Sequence, residues 1–193
     1  MPDRRTVLFG LAAASLALPA EARPRFRRLF DGRSLVGWSA VGDADWRVTG
    51  GLLVAARGGI SFLVSTGSYR DFELRTEFWV SHEANSGIFL RCQDRARITA
   101  DNSYEVNIFD TRPDPRFGTG AIVNVAEVAP PRPQAGGQWN GMTIRAGGDR
   151  FHVVLNGSVT VDGARDGRYR EGPVALQYGA GEVRFRRVDI RPL

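Results

Sequence analysis

The chain has 193 residues, of which 26 are Lys or Arg and 21 are Asp or Glu, and its formal net charge is +5. It contains no lysine, and its arginines are interspersed with acids instead of clustered, which argues against a nucleic-acid-binding surface. Cys92 is the only cysteine, so an internal disulfide is excluded and the fold has to be held by packing.

The first 22 residues have the pattern of a signal peptide. A basic head, Arg4-Arg5, precedes an uncharged run over residues 6–18, and Ala20-Glu21-Ala22 matches a cleavage site. The run of 13 uncharged residues is too short to cross a bilayer, so we expect no membrane anchor. The arginine pair fits either a twin-arginine signal or the general secretory route. The sequence therefore predicts a periplasmic or secreted protein with a single domain over residues 23–193.

Short β-rich runs separated by Gly- and Pro-rich turns fill this domain, and none of them has helical periodicity. Alternation of apolar and polar residues predicts strands over residues 72–80, 87–92, 104–109, 142–146, 151–155, 174–178 and 183–190. The apolar phase slips within the last run, which predicts a bulge. The spacing of the runs predicts an all-β jelly-roll sandwich of two antiparallel sheets. The residues expected between the sheets are Phe72, Leu74, Phe78, Ile88, Leu90, Cys92, Val106, Ile108, Ile144 and Val153.

Three of these strands carry polar and aromatic side chains on the sides that point away from the core. These residues are Arg75, Glu77 and Trp79, then Asn85, Phe89 and Arg91, and finally Glu105 and Asn107. Carboxylate, amide and guanidinium groups suit the hydroxyls of a sugar, and aromatic rings stack on its CH faces. We therefore expect one shared sheet face, roofed by the Pro- and Gly-rich loop over residues 111–138. The alternative is a solvated sheet with ordinary cross-strand pairs, such as Arg91 with Glu105.

The two histidines do not indicate a metal site, because His82 and His152 are far apart in the sequence and lack ligand spacing. We expect His152 to be solvated and His82 to lie at a strand edge close to the proposed site. No cofactor is predicted, and a divalent metal, for example a structural calcium in an Asp-rich loop, stays open as an alternative.

Two motifs carry a resemblance to a known family most clearly, Asn85-Ser86-Gly87-Ile88-Phe89-Leu90-Arg91 and Tyr104-Glu105-Val106-Asn107-Ile108. The remaining motifs follow in the same order: Phe30-Asp31-Gly32-Arg33-Ser34-Leu35-Val36-Gly37-Trp38, Trp46, Gly50-Gly51-Leu52, Tyr69-Arg70-Asp71-Phe72-Glu73-Leu74, Thr119-Gly120-Ala121-Ile122, Trp139-Asn140, Leu155-Asn156-Gly157 and Leu176-Gln177. Together they resemble the 3-keto-disaccharide hydrolase family, a bacterial group with a concanavalin-like sandwich. The family usually has a histidine close behind the Leu-Gln pair, where this chain has Tyr178.

The resemblance implies cleavage of 3-keto-glycosides by elimination or hydrolysis. A ketone at C3 acidifies the hydrogen at C2, so a base can remove that hydrogen, the glycosidic oxygen at C1 leaves, and water can add. Glu105 is the expected base. Arg91 and Asn85 are expected to stabilise the oxyanion, and Glu77 or Asp110 to be the acid. The other expected substrate contacts are Asn107, Trp79, Phe89, Gln177, Tyr178 and Arg75, with Gln177 orienting hydroxyls.

Two further functions fit the same residues. Glu77 and Glu105 could be the carboxylate pair of a glycosidase, whose separation would decide the stereochemistry. The main alternative to an enzyme is a non-catalytic, lectin-like carbohydrate-binding module on the same fold, which Tyr178 favours. In each case the expected partner is a small saccharide or glycoside, and these patterns do not indicate an oligomeric state.

Overall fold

The structure is a computed structural model that describes residues 24–193, so the predicted signal peptide lies outside the described residues. The described strands are β1 (Arg27–Arg28), β2 (Trp38–Val41), β3 (Arg47–Thr49), β4 (Leu52–Ala55), β5 (Ser61–Ser65), β6 (Phe72–Val80), β7 (Asn85–Leu90), β8 (Tyr104–Ile108), β9 (Trp139–Gly147), β10 (Arg150–Leu155), β11 (Ser158–Arg165), β12 (Ala175–Ala180) and β13 (Val183–Pro192). A short 3₁₀ helix, Pro115–Phe117, lies in the long loop between β8 and β9. No helix in this part of the chain is long and apolar enough to cross a membrane.

The strands form two antiparallel sheets, as predicted. An eight-stranded sheet has the order β11-β10-β9-β6-β13-β4-β3, with β1 paired to β13. A five-stranded sheet has the order β2-β5-β12-β7-β8. The two sheets enclose one main apolar cluster to which strands of both contribute, so the architecture is the predicted all-β sandwich.

The predicted core is confirmed for nine of the ten residues named above. Phe72, Leu74, Phe78, Ile88, Leu90, Val106, Ile108, Ile144 and Val153 are all at most 1% exposed and belong to the cluster between the sheets. Each lies on the apolar side of an alternating strand, because successive side chains of a strand point to opposite faces. The tenth residue, Cys92, lies elsewhere, as described below.

The predicted bulge in the last strand is confirmed. The register between β13 and β6 shifts between Phe185 and Arg187, so that Phe185 and Val188 can both point into the core. An extra residue in one strand resets the alternation and bends the strand, which explains the slip in the apolar phase.

Some strands could not be predicted, because they lack the alternation of apolar and polar residues. All five residues of β5 (Ser61–Ser65) are buried, since the main core lies on one side of the strand and a second apolar cluster lies on the other. A strand buried on both sides has no polar face, and a run this short cannot be recognised by periodicity.

Candidate functional site

The polar strand faces found in the sequence do not meet on one sheet. β6, which carries Arg75, Glu77 and Trp79, belongs to the eight-stranded sheet, whereas β7 and β8 belong to the five-stranded sheet. The apolar sides of both sheets face the core, so these polar groups lie on opposite outer surfaces of the sandwich. The expectation of one shared face with Glu105 is therefore wrong. Alternation defines the two sides of a strand but does not say which sheet the strand joins.

On the outer face of the eight-stranded sheet, the predicted site residues pair with their neighbours. Nε of Arg186 donates a hydrogen bond of 2.5 Å to the Glu77 carboxylate. The Arg184 guanidinium stacks on the ring of Trp79, 4.4 Å from its centroid. Arg75 is similarly ion-paired with a glutamate on its own strand. These are the ordinary pairs of a solvated sheet. The structure therefore does not support Glu77 as the catalytic acid. It also does not support Trp79 and Arg75 as contacts of a substrate that meets Glu105.

Three polar side chains converge on the outer face of the five-stranded sheet. Gln177 of β12 and Asn107 of β8 flank Gly87 of β7 in register, and Glu105, two residues before Asn107 on β8, lies opposite Phe89. A β-carbon built on Gly87 would lie 3.2 Å from Oε1 of Glu105 and 3.3 Å from Oε1 of Gln177. The two oxygens therefore face a common space above Gly87, which we call the Gly87 cradle.

Glu105 is a buried carboxylic acid in this cradle. The residue is only 7% exposed, and no hydrogen bond to its side chain comes from residues 24–193. Burial disfavours the charged form and raises the pKa of Glu105 to about 7, while the positive charge of Arg112 acts in the opposite direction. The expected contact between Glu105 and Arg91 is absent from the described chain. The cation that acts on Glu105 is Arg112, on the long loop.

Two amide oxygens beside Glu105 have no hydrogen-bond partner among the described residues. Asn107 is fully buried, and its Nδ2 donates a hydrogen bond of 2.6 Å to the carbonyl of Phe117, which fixes the orientation of the amide. Its Oδ1 and the Oε1 of Gln177 are buried without a hydrogen bond from any residue between 24 and 193. Because buried polar atoms are nearly always paired, such unpaired acceptors indicate a place where a donor from outside the chain binds.

Arg91 is a structural residue and does not stabilise an oxyanion in this site. It is fully buried, and its guanidinium donates hydrogen bonds to the carbonyls of Arg70, Gly148 and Tyr169 at 2.5 to 3.1 Å. It also lies over the ring of Phe151, 5.4 Å from the centroid. Arg91 thus joins three separate loops at one end of the sandwich, and its donors are already used.

The backbone explains why alternation misplaced Arg91. Its φ is +52°, a left-handed conformation that ends the alternation of β7 one residue after Leu90. Arg91 turns inward, and Cys92 points outward into a second cluster made with Phe62, Val64, Phe89, Ile98 and Ala175. The expectation that Cys92 shares the inner face is therefore wrong. Burial raises the pKa of its thiol to about 12, which leaves it protonated and not nucleophilic at neutral pH.

Asp110 holds the long loop instead of serving as an exposed acid. Its carboxylate accepts hydrogen bonds from the Thr119 hydroxyl at 2.6 Å and from the backbone N–H groups of Ala135 and Gly136 at 2.8 to 3.0 Å. The expected catalytic role of Asp110 does not agree with these contacts. By tying both ends of this loop together, Asp110 fixes the segment that borders the site.

The long loop runs along the edge of β8, next to the cradle. Its residues extend the sheet, with Asn107 N–H donating to the Ala121 carbonyl at 3.0 Å and Val123 N–H donating to the Glu105 carbonyl at 3.0 Å. This pairing covers an edge that would otherwise expose unpaired backbone groups. The loop therefore borders the site along this edge, whereas it was expected to roof the sheet face.

Two expected aromatic contacts are packing residues. Phe89 is on the same outer face as Glu105, but it is buried and packs edge-to-face on Phe62, with 5.2 Å between ring centroids. Tyr178 points into the main core, where burial raises the pKa of its hydroxyl. Neither ring is presented to a sugar, so both expectations are wrong. Asn85 is half-buried and lies beside Gly179, whose added β-carbon would be 3.0 Å from the Asn85 Nδ2.

The two histidines lie in different parts of the sandwich, His82 between β6 and β7 and His152 on β10. A β-carbon built on Gly137 would lie 2.7 Å from Nε2 of His82, so His82 is packed against the long loop. His152 is partly exposed on the eight-stranded sheet, with its Nδ1 3.1 Å from a carboxylate oxygen of Asp162. Residues 24–193 contain no group of three or more His, Cys, Asp and Glu side chains placed to hold a metal ion.

Sequence analysis missed two residues of the site, Gly87 and Arg112. A glycine inside a strand often marks a close approach by a ligand or another backbone, so Gly87 carried a signal that could have been used. No feature of the sequence indicated Arg112, because its position depends on how the long loop folds back toward β8.

The structure is thus a two-sheet β-sandwich with the Gly87 cradle on the outer face of its five-stranded sheet. The sequence profile of the 3-keto-alpha-glucoside-1,2-lyase-like domain matches residues 25–191. The chain therefore belongs to that family, and the resemblance found in the sequence is confirmed.

Individual relatives agree with this assignment. A 3-keto-disaccharide hydrolase from Bacteroides thetaiotaomicron is 25% identical, and the match covers 65% of this chain. The chain spans about half, 53%, of the length of that relative.

Solved structures support the fold. A putative glycosyl hydrolase from Parabacteroides distasonis superposes with a TM-score of 0.76 at 17% identity, covering 87% of this chain and 94% of its own. A second putative glycosyl hydrolase from the same organism has a TM-score of 0.70 at 25% identity, covering 88% and 100%. A carbohydrate-binding module from Bacillus subtilis has a TM-score of 0.65 at 22% identity, covering 80% and 95%.

Proposed function

We propose that this protein cleaves 3-keto-glycosides and that Glu105 is the base that removes the hydrogen at C2. The observation that supports this most directly is the buried Glu105 carboxylate, which faces the Gly87 cradle and has a pKa of about 7. A general base is most effective when its pKa lies near the working pH. A surface glutamate with an ordinary pKa would be a weaker base at neutral pH.

The reaction also needs a group that stabilises negative charge on the C3 oxygen as the C2 hydrogen leaves. Arg112 is our candidate, since it is half-buried on the loop beside β8 and its charge already acts on Glu105. Its guanidinium has no hydrogen bond or ion pair with residues 24–193, so its donors are free for a substrate. Arg112 thus takes the role that the sequence suggested for Arg91.

The direct test is to incubate the purified protein with a 3-keto-disaccharide, with and without a chelator, and to follow loss of the disaccharide by chromatography. We expect turnover of the keto sugar and none of the corresponding unoxidised disaccharide, whose C2 hydrogen is not acidic. Binding of both sugars without turnover of either would contradict the proposal and support the lectin-like alternative.

The rate should depend on pH through the protonation of Glu105. The base form is the carboxylate, so kcat/KM should rise with pH and level off above about 7. A pH–rate profile for a 3-keto-glycoside between pH 4 and 9 checks this. A profile already at its plateau at pH 5 would exclude Glu105 as the base.

We further propose that the protein is exported, supported by the signal-peptide pattern over residues 1–22. If the pair Arg4-Arg5 is a twin-arginine signal, replacing both residues with lysine should leave uncleaved precursor in the cytoplasm. Immunoblots of cell fractions measure this outcome, and normal export of the double variant would indicate the general secretory route.

A further inference from the structure

Gly87 lacks a side chain at the point where two acceptor oxygens come closest. Its β-carbon, if present, would lie 3.2 Å from Oε1 of Glu105 and 3.3 Å from Oε1 of Gln177, so both oxygens lie directly over the glycine. The Gln177 oxygen is buried and receives no hydrogen bond from residues 24–193. The cradle therefore brings two acceptor oxygens together, and among the described residues no donor serves the glutamine oxygen.

A water molecule fits this chemistry better than a substrate hydroxyl. Water carries two hydrogens and can donate one to each oxygen, whereas a hydroxyl carries only one. A buried water needs two or more polar partners, and the two Oε1 oxygens that meet over Gly87 provide them. A water held by both hydrogens keeps its lone pairs free to point away from Glu105 and Gln177.

We propose that the Gly87 cradle holds the nucleophilic water of the reaction, with Gln177 orienting it and Glu105 activating it. This inference rests on the proposed function and extends it, because it determines whether the protein acts as a hydrolase or only as a lyase. Gln177 is a positioning residue in this scheme, and Glu105 is the catalytic residue that exchanges protons.

The bonds balance over two steps. In the first, the proton at C2 passes to Glu105, the C1–O bond breaks with its electron pair going to the leaving oxygen, and a C1–C2 double bond conjugated to the C3 ketone remains. Glu105 then passes this proton to the leaving oxygen and becomes a carboxylate again. In the second, the water oxygen bonds to C1, one water proton passes to the Glu105 carboxylate, and Glu105 delivers it to C2. The sum is hydrolysis of the glycosidic bond without an external oxidant or reductant. If the second step fails, the unsaturated keto sugar is released.

The variant Gln177→Met tests the inference, because methionine has a similar length and no acceptor oxygen. The ratio of hydrated to unsaturated product formed from a methyl 3-keto-glucoside should fall about tenfold, as expected for one lost hydrogen bond to a buried water. Gly87→Ala should shift the ratio in the same direction, since its methyl group fills the cradle. Products formed in ¹⁸O-labelled water are separated by mass.

Gln138→Met is the matched control, since Gln138 is an exposed glutamine on the loop and makes no contact with the cradle. It should leave both the consumption and the product ratio unchanged. A parent-like product ratio in a Gln177→Met variant that still consumes the keto sugar would overturn the inference and leave the proposed function standing, as would a parent protein that releases only the unsaturated sugar.

A crystal structure of the parent at a resolution that reveals ordered water provides a test that does not depend on turnover. A water within about 3.2 Å of both Oε1 atoms supports the cradle. A cation bound by these oxygens, or a cradle closed by a neighbouring side chain, overturns it. If the parent consumes no keto sugar, the proposed function fails, and this structure alone decides on the water site.

Discussion

Replacing Glu105 by Gln should lower the turnover of a 3-keto-glycoside about 10²- to 10⁴-fold, because the amide cannot remove the hydrogen at C2. The variant should bind the sugar nearly as well as the parent, since glutamine has almost the same shape. Initial rates and binding isotherms for the parent and the variant measure the two effects. Full activity in the variant would exclude Glu105 as the base.

The same variant should also gain stability at alkaline pH. The folded-state pKa of Glu105, about 7, lies above the ordinary value of 4.5, so the folded protein holds this proton more tightly than the unfolded chain. The contribution of this bound proton to the free energy of unfolding is fully present below pH 4.5 and is lost as the pH rises to 7. The difference is on the order of 3 kcal/mol. The amide that replaces the carboxyl group carries no charge at any of these pH values. Glu105→Gln should therefore melt higher than the parent at pH 8 and similarly at pH 4.

Glu77→Gln is the matched control for this experiment. Glu77 lies on the outer face of the other sheet and is paired with Arg186, so its loss should change turnover less than about twofold. The loss of one partly exposed ion pair should cost at most about 1 kcal/mol of stability. A large loss of turnover in Glu77→Gln would place the active site on the eight-stranded sheet and contradict the assignment to the cradle.

Replacing Arg91 by Leu should destabilise the fold by about 3–5 kcal/mol, because three backbone carbonyls at one end of the sandwich lose their buried donor. For a domain of this size the melting temperature should fall by roughly 6–20 °C. Arg91→Lys should recover only part of the loss, since one ammonium group cannot reproduce the planar guanidinium fork.

Turnover separates this structural role from a catalytic one. Well below its melting temperature, Arg91→Leu should process a 3-keto-glycoside at a rate within a few-fold of the parent. The control is Arg75→Leu, which removes a partly exposed arginine and should lower the melting temperature only slightly. If a variant of Arg91 melts like the parent but has lost turnover, Arg91 acts in the active site and the structural assignment is wrong.

The core could be predicted from the sequence because burial on one side of a strand imposes a period of two. Phe72, Leu74 and Phe78 on β6, or Val106 and Ile108 on β8, alternate with polar residues, and that pattern defines the inner side without any knowledge of the partner strand. The bulge at Phe185 was predictable for the same reason, since it is a visible break in the period.

The assignment of strands to sheets was not predictable from this pattern. The polar sides of β6 and β8 look equivalent in sequence, yet the chain crosses to the other sheet between β6 and β7. The prediction that Glu77 and Glu105 share one sheet face was wrong for this reason alone. The predictions for Arg91 and Cys92 were wrong for a local reason. A single residue in the left-handed conformation exchanges the inner and outer sides of the strand, and an arginine in the sequence does not indicate that conformation.

Of the site, the sequence yielded the polar strand residues but not the space between them. Glu105 and Asn107 were found because each is a polar residue on a predicted strand, and Gln177 was found through the Leu176-Gln177 motif of the family resemblance. Their convergence depends on the register of β12, β7 and β8, which places Gln177 and Asn107 on either side of Gly87. Register between strands distant in sequence is determined by the whole sheet and not by any one segment.

The buried thiol of Cys92 gives this protein an intrinsic chemical reporter. Because Cys92 is the only cysteine, a thiol-specific reagent has a single target, and any labelling can be assigned without mutagenesis. The thiol packs in the apolar cluster beside Phe89, on the same outer face as Glu105. Its labelling rate therefore measures how often this side of the sandwich opens to solvent, independently of the eight-stranded sheet.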